Sequence, residues 1–187
     1  MKISMVNSLL AEIQPALIAA VVEDVKTHLT RLAATGREIY GYALLPGEFY
    51  DIHSVVVATN SEGEIEIPCS DDLYRYYRYS VDEWRNYDQK EFAKTNAILL
   101  VANERFKALY TREDGSYQMD ECEVAFANGV LDALVDGLDA AKKAGEFGSR
   151  EKFLVVWIAD SDVPIMSESS RRLNSAAVAA DFSAEFG

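Results

Sequence analysis

The sequence has few of the residues that most often carry catalysis. Among its 187 residues there are two histidines and two cysteines. It contains no G-x-S-x-G elbow, no glycine-rich phosphate loop and no H-E-x-x-H zinc motif. His28 falls in a helical pattern and His53 in a strand pattern, and we interpret each as a surface or structural histidine. We therefore expect neither an enzyme nor a cofactor.

Cysteine spacing and hydropathy argue against several further classes. Cys69 and Cys122 lie 53 positions apart and form no C-x-x-C pair, so we expect neither a disulfide framework nor a zinc site. The N-terminal segment lacks the apolar core and cleavage site of a signal peptide. No apolar run approaches the ~18 residues of a membrane span. These features predict a cytoplasmic protein that does not bind membranes.

Basic residues are scarce relative to acidic ones. The chain has 18 Lys and Arg against 31 Asp and Glu, a formal net charge of −13. Phosphate contact needs clustered cations, so nucleic acid and anionic lipid are not expected partners. The imbalance is largest in residues 61–123, with 8 basic and 15 acidic residues. Such a surface would attract a basic protein, although acidic surfaces also simply keep proteins soluble.

Helical periodicity covers much of the chain. Apolar residues recur every three or four positions over residues 4–35, 92–112 and 120–145, which predicts three long helices, the second of them continuing from a start at Ser80. Pro15 interrupts the first, where we expect a kink or a new helix start. A last helix is predicted from Pro164 through Val178.

Strand patterns are fewer. Segments 38–45 and 52–59 predict an antiparallel hairpin. Residues 152–159 are nearly all apolar, β-branched or aromatic and predict a central strand buried on both faces. The length fits a single domain. We therefore expect one α+β domain over residues 1–187, with a small, mainly antiparallel sheet packed by a long N-terminal helix and several further helices.

Aromatic residues are concentrated in one acidic segment. Residues 71–87 hold five of the ten tyrosines and one of the two tryptophans. Tyrosine, tryptophan and arginine are enriched in binding hot spots. An extended backbone here would place Tyr74 and Tyr76 on one side and Tyr77 and Tyr79 on the other. The candidate partner-binding residues are Asp71, Asp72, Tyr74, Tyr76, Tyr77, Asp82 and Trp84.

Part of this segment also has a structural interpretation. The sequence Ser80-Val81-Asp82-Glu83 matches a capping box, which predicts that a helix begins at Ser80. Tyr79 and Trp84 have the spacing of a hydrophobic staple across that helix start, so Trp84 could belong to the core. The contact prediction therefore concentrates on Asp71–Arg78.

Carboxylate pairs provide a catalytic alternative. Asp160 and Asp162 follow the predicted strand 152–159 and could hold a divalent cation, which would suit a metal-dependent hydrolase. Asp162 is equally well placed to cap the helix that begins near Pro164. A ridge of like charge, usually a solvated face, consists of Asp132, Asp136 and Asp139.

The segment 77–85, Tyr-Arg-Tyr-Ser-Val-Asp-Glu-Trp-Arg, is preceded by the long helix and a tyrosine-rich hairpin and followed later by Ser170-Arg-Arg-Leu-Asn174. Together these features resemble a bacterial family, domain of unknown function 4303. Families of this kind often occur next to toxin genes, so the resemblance implies an immunity protein that neutralises a toxin by direct binding. It supplies no catalytic residues.

The expected function is therefore non-catalytic binding of another protein, in the specific form of a basic toxin domain. Two alternatives stay open. One is the metal-dependent hydrolase at Asp160 and Asp162. The other is a self-associating scaffold protein, which would form a stable homo-oligomer.

Overall fold

The computed structural model describes residues 3–49, 51–110, 119–159 and 163–186. Its helices are α1 (Ile3–Ala34), α2 (Tyr74–Tyr79), α3 (Ala93–Leu109), α4 (Glu121–Lys143), α5 (Ile165–Leu173) and α6 (Ala176–Phe186). Its strands are β1 (Gly41–Leu45), β2 (Val56–Asn60), β3 (Asn86–Asp88) and β4 (Phe153–Val156). The fold is α+β, as predicted.

The four strands form one sheet in the order β3-β2-β1-β4. β1 and β2 make an antiparallel hairpin in which Gly41 lies opposite Asn60 and Leu45 opposite Val56. The predicted hairpin is confirmed, with shorter strands that leave His53 in the loop before β2. β3 pairs antiparallel with β2, whereas β4 runs parallel to β1. The sheet is therefore mixed rather than purely antiparallel.

β4 lies at an edge of the sheet, not at its centre as its apolar sequence predicted. All four of its residues are buried, because a core covers each face of the strand and α5 packs against it. The Asn174 side chain accepts a hydrogen bond from the Leu154 amide at 2.8 Å and donates one to the Leu154 carbonyl at 2.7 Å. Ser169 Oγ accepts from the Val156 amide at 3.1 Å. Side chains thus satisfy an edge that would otherwise offer unpaired backbone groups.

α1 confirms the predicted N-terminal helix. It continues through Pro15, so no new helix begins there. α1 packs along α4, and glycines at this contact let the two backbones approach closely. A Cβ atom placed on Gly137 would lie 2.6 Å from Val21 Cβ, and one on Gly129 would lie 2.4 Å from Leu10 Cδ1. Larger side chains at either glycine would push the helices apart.

α1 is more apolar than the sequence analysis recognised. Of the helices described, it alone is long and apolar enough to cross a membrane, with a mean hydropathy of 1.6 over an 18-residue window. The core helix of a soluble protein passes the same test, and α1 buries Leu17, Val21 and Val25 completely. Only 39% of the window is buried, however. Much of this apolar helix is therefore left at the surface.

Helices cover both faces of the sheet. Alternate residues along β1 point to opposite faces: Tyr42 and Leu44 belong to a core shared with α1, α3 and α4, and Ala43 belongs to a second core. The second core consists of Ala43, Ala58, Tyr79, Val81, Trp84, Phe153, Val155, Trp157 and Phe182. The predicted single helix from Pro164 is two helices, α5 and α6, separated around Asn174.

Candidate functional site

The connection between β2 and β3 is unusually long. These neighbouring antiparallel strands are joined by residues 61–85, or 25 residues, although a hairpin loop needs only about two to five. Long connections in compact domains usually serve a function. This one contains α2 and nearly all of the aromatic, acidic segment. We therefore take the β2–β3 connection as the candidate site.

Buried aromatic residues anchor the β2–β3 connection to the second core. Trp84 is 2% exposed, and its ring lies over Gly41, where a Cβ atom would be 2.6 Å from the indole. Its Nε1 donates to the Arg78 carbonyl at 3.3 Å. Trp84 therefore cannot contact a partner in this conformation, and we remove it from the predicted binding residues.

The predicted capping box is wrong. Ser80 ends α2, makes no side-chain cap, and precedes a short 3₁₀ turn over Val81–Glu83. The reason lies in packing: Tyr79, Val81 and Trp84 are all buried against the same face of the sheet. In a regular helix Val81 and Trp84 would share one side, but Tyr79 would point away from both. Burial of all three therefore outweighs the local preference for a helix start, and the Tyr79/Trp84 staple does not form.

Arg78 holds α2 in place through an aromatic and acidic cluster. Its guanidinium lies 4.4 Å from the centre of the Tyr40 ring and 2.8 Å from Glu62. The Tyr74 hydroxyl donates to Glu62 at 3.2 Å, and the Tyr40 hydroxyl donates to the Arg78 carbonyl at 2.9 Å. Burial alone would lower the pKa of Arg78, but Glu62 raises it above its ordinary value. Burial also raises the pKa of Tyr40.

The other arginines of the β2–β3 connection are also paired. Arg75 lies 3.1 Å from Asp181 of α6, and Arg85 lies 2.7 Å from Glu66. Because all three arginines already have carboxylate partners, they serve to fix the connection. The Asp72 side chain has no hydrogen-bond or ion-pair partner among the described residues, and within the same part of the chain the Asp71 side chain accepts only from the nearby Leu73 amide at 2.9 Å. Negative charge therefore remains available at the start of α2.

The predicted contact residues fall on different sides of α2, because the segment is helical rather than extended. Asp71, Asp72 and Tyr74 line a groove with Asp181. Tyr77, 36% exposed, lines a separate groove.

Two further predicted residues already have contacts within the chain. The hydroxyl of half-buried Tyr76 donates to Glu83 at 3.1 Å, and its ring stacks on Phe186 at 6.0 Å. Exposed Asp82 accepts a hydrogen bond from Trp157 Nε1 at 3.1 Å. Both residues therefore contribute to holding the β2–β3 connection against the second core.

Exposed apolar residues of this site were missed by the sequence analysis. Leu73 is 56% exposed and lies one helical turn before Tyr77. Ile65 and Ile67, both half-buried, line the same groove as Tyr77. The spacing of Leu73 and Tyr77 would have indicated one exposed face, but only if the segment had been recognised as a helix.

The other acidic candidates are either paired with basic residues or lie outside the described residues. Arg172 pairs with both Asp132 and Asp136, and Lys143 lies 2.5 Å from Asp139, so each carboxylate of the predicted ridge has a basic partner. Asp160 and Asp162 lie outside the described residues. Within the described part of the chain, no three His, Cys, Asp or Glu side chains are grouped to hold a metal ion.

These features define an α+β protein with a mixed four-stranded sheet and a rigidly anchored, acidic β2–β3 connection. The chain belongs to the family described as Domain of unknown function (DUF4303), which matches residues 17–175. The matched region includes all four strands and the β2–β3 connection. Searches of curated proteins and of solved structures found no match.

Proposed function

We propose that this protein binds another protein and is not an enzyme. The binding site is the α2 surface, which we define as Asp71, Asp72, Leu73 and Tyr77; it extends from the groove with Asp181 to the separate groove lined by Tyr77. One observation carries the proposal: a 25-residue connection is held in place by buried aromatic residues and paired arginines, yet it presents apolar side chains and unpaired carboxylates to solvent.

Rigidity supports a role in recognition. Tyr79 and Trp84 are buried on either side of the turn that follows α2, and Arg78 is held by Tyr40 and Glu62. A surface that is already ordered loses less conformational entropy on binding than a flexible loop does. Exposed Tyr77 beside Leu73 offers the aromatic and aliphatic anchors that are common at binding hot spots.

Charge indicates the class of partner. The β2–β3 connection has seven acidic residues and three arginines, and each arginine is paired within the chain. A basic protein would be attracted to the α2 surface, whereas nucleic acid would be repelled. In its specific form, the proposal is a bacterial immunity protein that binds a basic toxin in the cytoplasm, as the family resemblance implied.

The proteins encoded next to this gene provide the direct test. Each is purified and titrated with this protein by isothermal calorimetry at low and high salt. We expect one basic protein to bind, with an affinity that falls as salt rises because charged surfaces are screened. The double variant Asp71→Lys/Asp72→Lys reverses the charge at both positions and is expected to weaken binding at low salt by at least about tenfold.

Two further variants sharpen this test. Tyr77→Ala is expected to weaken binding by about tenfold or more at any salt concentration, because it removes an apolar anchor. Glu48→Lys, which changes the charge by +2 as the single variant Asp72→Lys does, is the matched control for that single reversal, since Glu48 is exposed and lies in the loop at the opposite end of β1 and β2. An affinity that changes neither with salt concentration nor with the charge reversal at Asp71 and Asp72 would contradict the proposal.

A growth assay tests the immunity form separately. If the bound neighbour is a toxin, expressing it alone should stop growth, and co-expression of the wild-type protein should restore growth. The Asp71→Lys/Asp72→Lys variant should protect less well than Glu48→Lys. Binding without protection would leave a protein-binding function but would reject an immunity role.

A further inference from the structure

α1 and α3 carry matching ladders of residues where they pack together. On α1, Glu12 and Glu23 enclose Ala16 and Ala19. On α3, Lys94 and Arg105 enclose Ile98 and Val101, and the residue numbers increase in the direction opposite to that on α1. Both ladders have the spacing i, i+4, i+7 and i+11, which places their members on one helix face.

Ion pairs close both ends of these ladders. Arg105 lies 2.6 Å from Glu12, and Lys94 pairs with Glu23. The helices therefore run antiparallel, with two acids on α1 and two bases on α3. This face has no net charge, although the whole chain carries −13. It is thus a place where two copies could meet without strong repulsion.

The surface between the two ion pairs is apolar and open to solvent. Val101 is 52% exposed, and Ala16, Ala19 and Ala97 are exposed beside it. This surface agrees with the high hydropathy and incomplete burial of α1. Apolar patches with polar rims are typical of protein interfaces. We name it the α1/α3 face, comprising both ladders and Ala97.

We propose that the α1/α3 face binds a second copy of this chain. This proposal is independent of the α2 surface. Two copies packed face to face are related by a twofold axis that lies in the interface. The arrangement of the charges determines which direction of this axis is favourable. An axis parallel to the helices places α1 of each copy over α3 of the other, so Glu12 faces the partner's Arg105 and Glu23 faces the partner's Lys94.

An axis across the helices gives the opposite result. α1 would then lie over α1, so Glu12 would meet the partner's Glu23, and Arg105 would meet the partner's Lys94. Like charges placed opposite each other disfavour this arrangement. The geometry therefore assigns the parallel axis, with two facing layers of two helices, each helix antiparallel to the one it covers, and mixed charges at both ends.

The area of the α1/α3 face indicates how tightly the two copies should bind. α3 has 17 residues and is about 25 Å long at about 1.5 Å per residue. Two helices side by side cover roughly 500 Å² per copy, less than the roughly 800 Å² of a standard stable interface. We therefore expect a weak dimer with a dissociation constant in the micromolar range.

Sedimentation equilibrium over about 1 to 200 µM tests the proposal. The wild type is expected to show a monomer–dimer equilibrium. Val101→Glu should raise the dissociation constant by at least about tenfold, because it places a charge at the centre of the apolar face. Leu100→Glu is the matched control: Leu100 is 50% exposed, but its side chain lies about 100° from that of Val101 around the axis of α3. Circular dichroism checks that both variants fold.

A charge swap tests the direction of the axis. Glu12→Arg combined with Arg105→Glu keeps the ion pair within each chain and, with the parallel axis, keeps opposite charges facing each other between copies. The dissociation constant should then stay within about twofold of the wild type. A dimer that becomes about tenfold tighter would reject the parallel axis. A monomeric wild type at all concentrations, or equal effects of Val101→Glu and Leu100→Glu, would overturn the proposal.

Discussion

The two histidines occupy opposite environments. His53 is exposed in the loop before β2, whereas His28 on α1 is 2% exposed and its Nδ1 lies 3.0 Å from the Tyr42 hydroxyl. Burial and, to a smaller extent, the positive charge of Arg31 together lower the pKa of His28 to about 4. His28 is therefore neutral in the folded protein at physiological pH and satisfies a buried tyrosine.

This lowered pKa predicts how stability depends on pH. The folded-state pKa of His28 is about 4, against 6.5 for an ordinary histidine, so below pH 6.5 the unfolded chain binds a proton that the folded chain does not. We expect the free energy of unfolding to fall by about 2 kcal/mol from this group between about pH 7.5 and 5. Urea unfolding of the wild type at several pH values measures the slope.

Two variants separate His28 from other titrating groups. His28→Gln can still hydrogen-bond to Tyr42 but does not titrate, so it should lose most of this slope. His53→Gln should keep it. If the wild type and His28→Gln have the same slope, the assignment of this pH dependence to His28 is wrong.

At the scale of elements, the open edge of β4 depends on two side chains from the α5 region. Asn174 and Ser169 satisfy backbone groups of Leu154 and Val156 that a neighbouring strand would otherwise bind. Asn174 also donates to the Ser170 carbonyl at 2.8 Å, which helps to end α5. One residue therefore ends a helix and caps a strand. Its place in the Ser170–Asn174 segment gave no sign of this role.

Asn174→Ala tests the capped edge. It leaves the amide and carbonyl of Leu154 without their partner, and Leu154 is 1% exposed. Each unsatisfied buried group costs about 1–3 kcal/mol, so we expect a loss of about 2–4 kcal/mol in the free energy of unfolding. Denaturant unfolding measures this loss. Arg171→Ala, an exposed change on the same helix, should cost far less; equal losses would contradict the proposed role of Asn174.

At the scale of the whole molecule, one sheet separates two cores. α1, α3 and α4 cover one face, while α6 and the β2–β3 connection cover the other. Both tryptophans, Trp84 and Trp157, belong to the second core. Tryptophan fluorescence therefore reports on one face, and far-ultraviolet circular dichroism reports mainly on the long helices of the other.

Phe182→Ala tests whether the two cores unfold together. Phe182 is completely buried in the second core, so its truncation should cost about 3–5 kcal/mol. If residues 1–187 form one cooperative domain, as the sequence predicted, the unfolding transitions followed by fluorescence and by circular dichroism should shift together. If only the unfolding transition followed by fluorescence shifts, the second core unfolds independently, which would contradict a single domain.

The sequence by itself determined the elements whose faces repeat locally. Periodic apolar residues predicted α1, α3 and α4, and β-branched and aromatic runs predicted the β1–β2 hairpin. Composition fixed the net charge, and the aromatic segment located the candidate site. These features were readable because helix and strand periods depend on neighbouring residues alone.

Only the tertiary structure decided which of these residues meet. Trp84 had a local interpretation as a helix staple, but contact with Gly41, 43 positions earlier, places it in the core. β4 had the sequence of a central strand, but α5 buries it at an edge. The arginines of the β2–β3 connection had no assigned role until the structure located their carboxylate partners. Burial and charge pairing depend on residues that are distant in the chain, and no local pattern encodes that proximity.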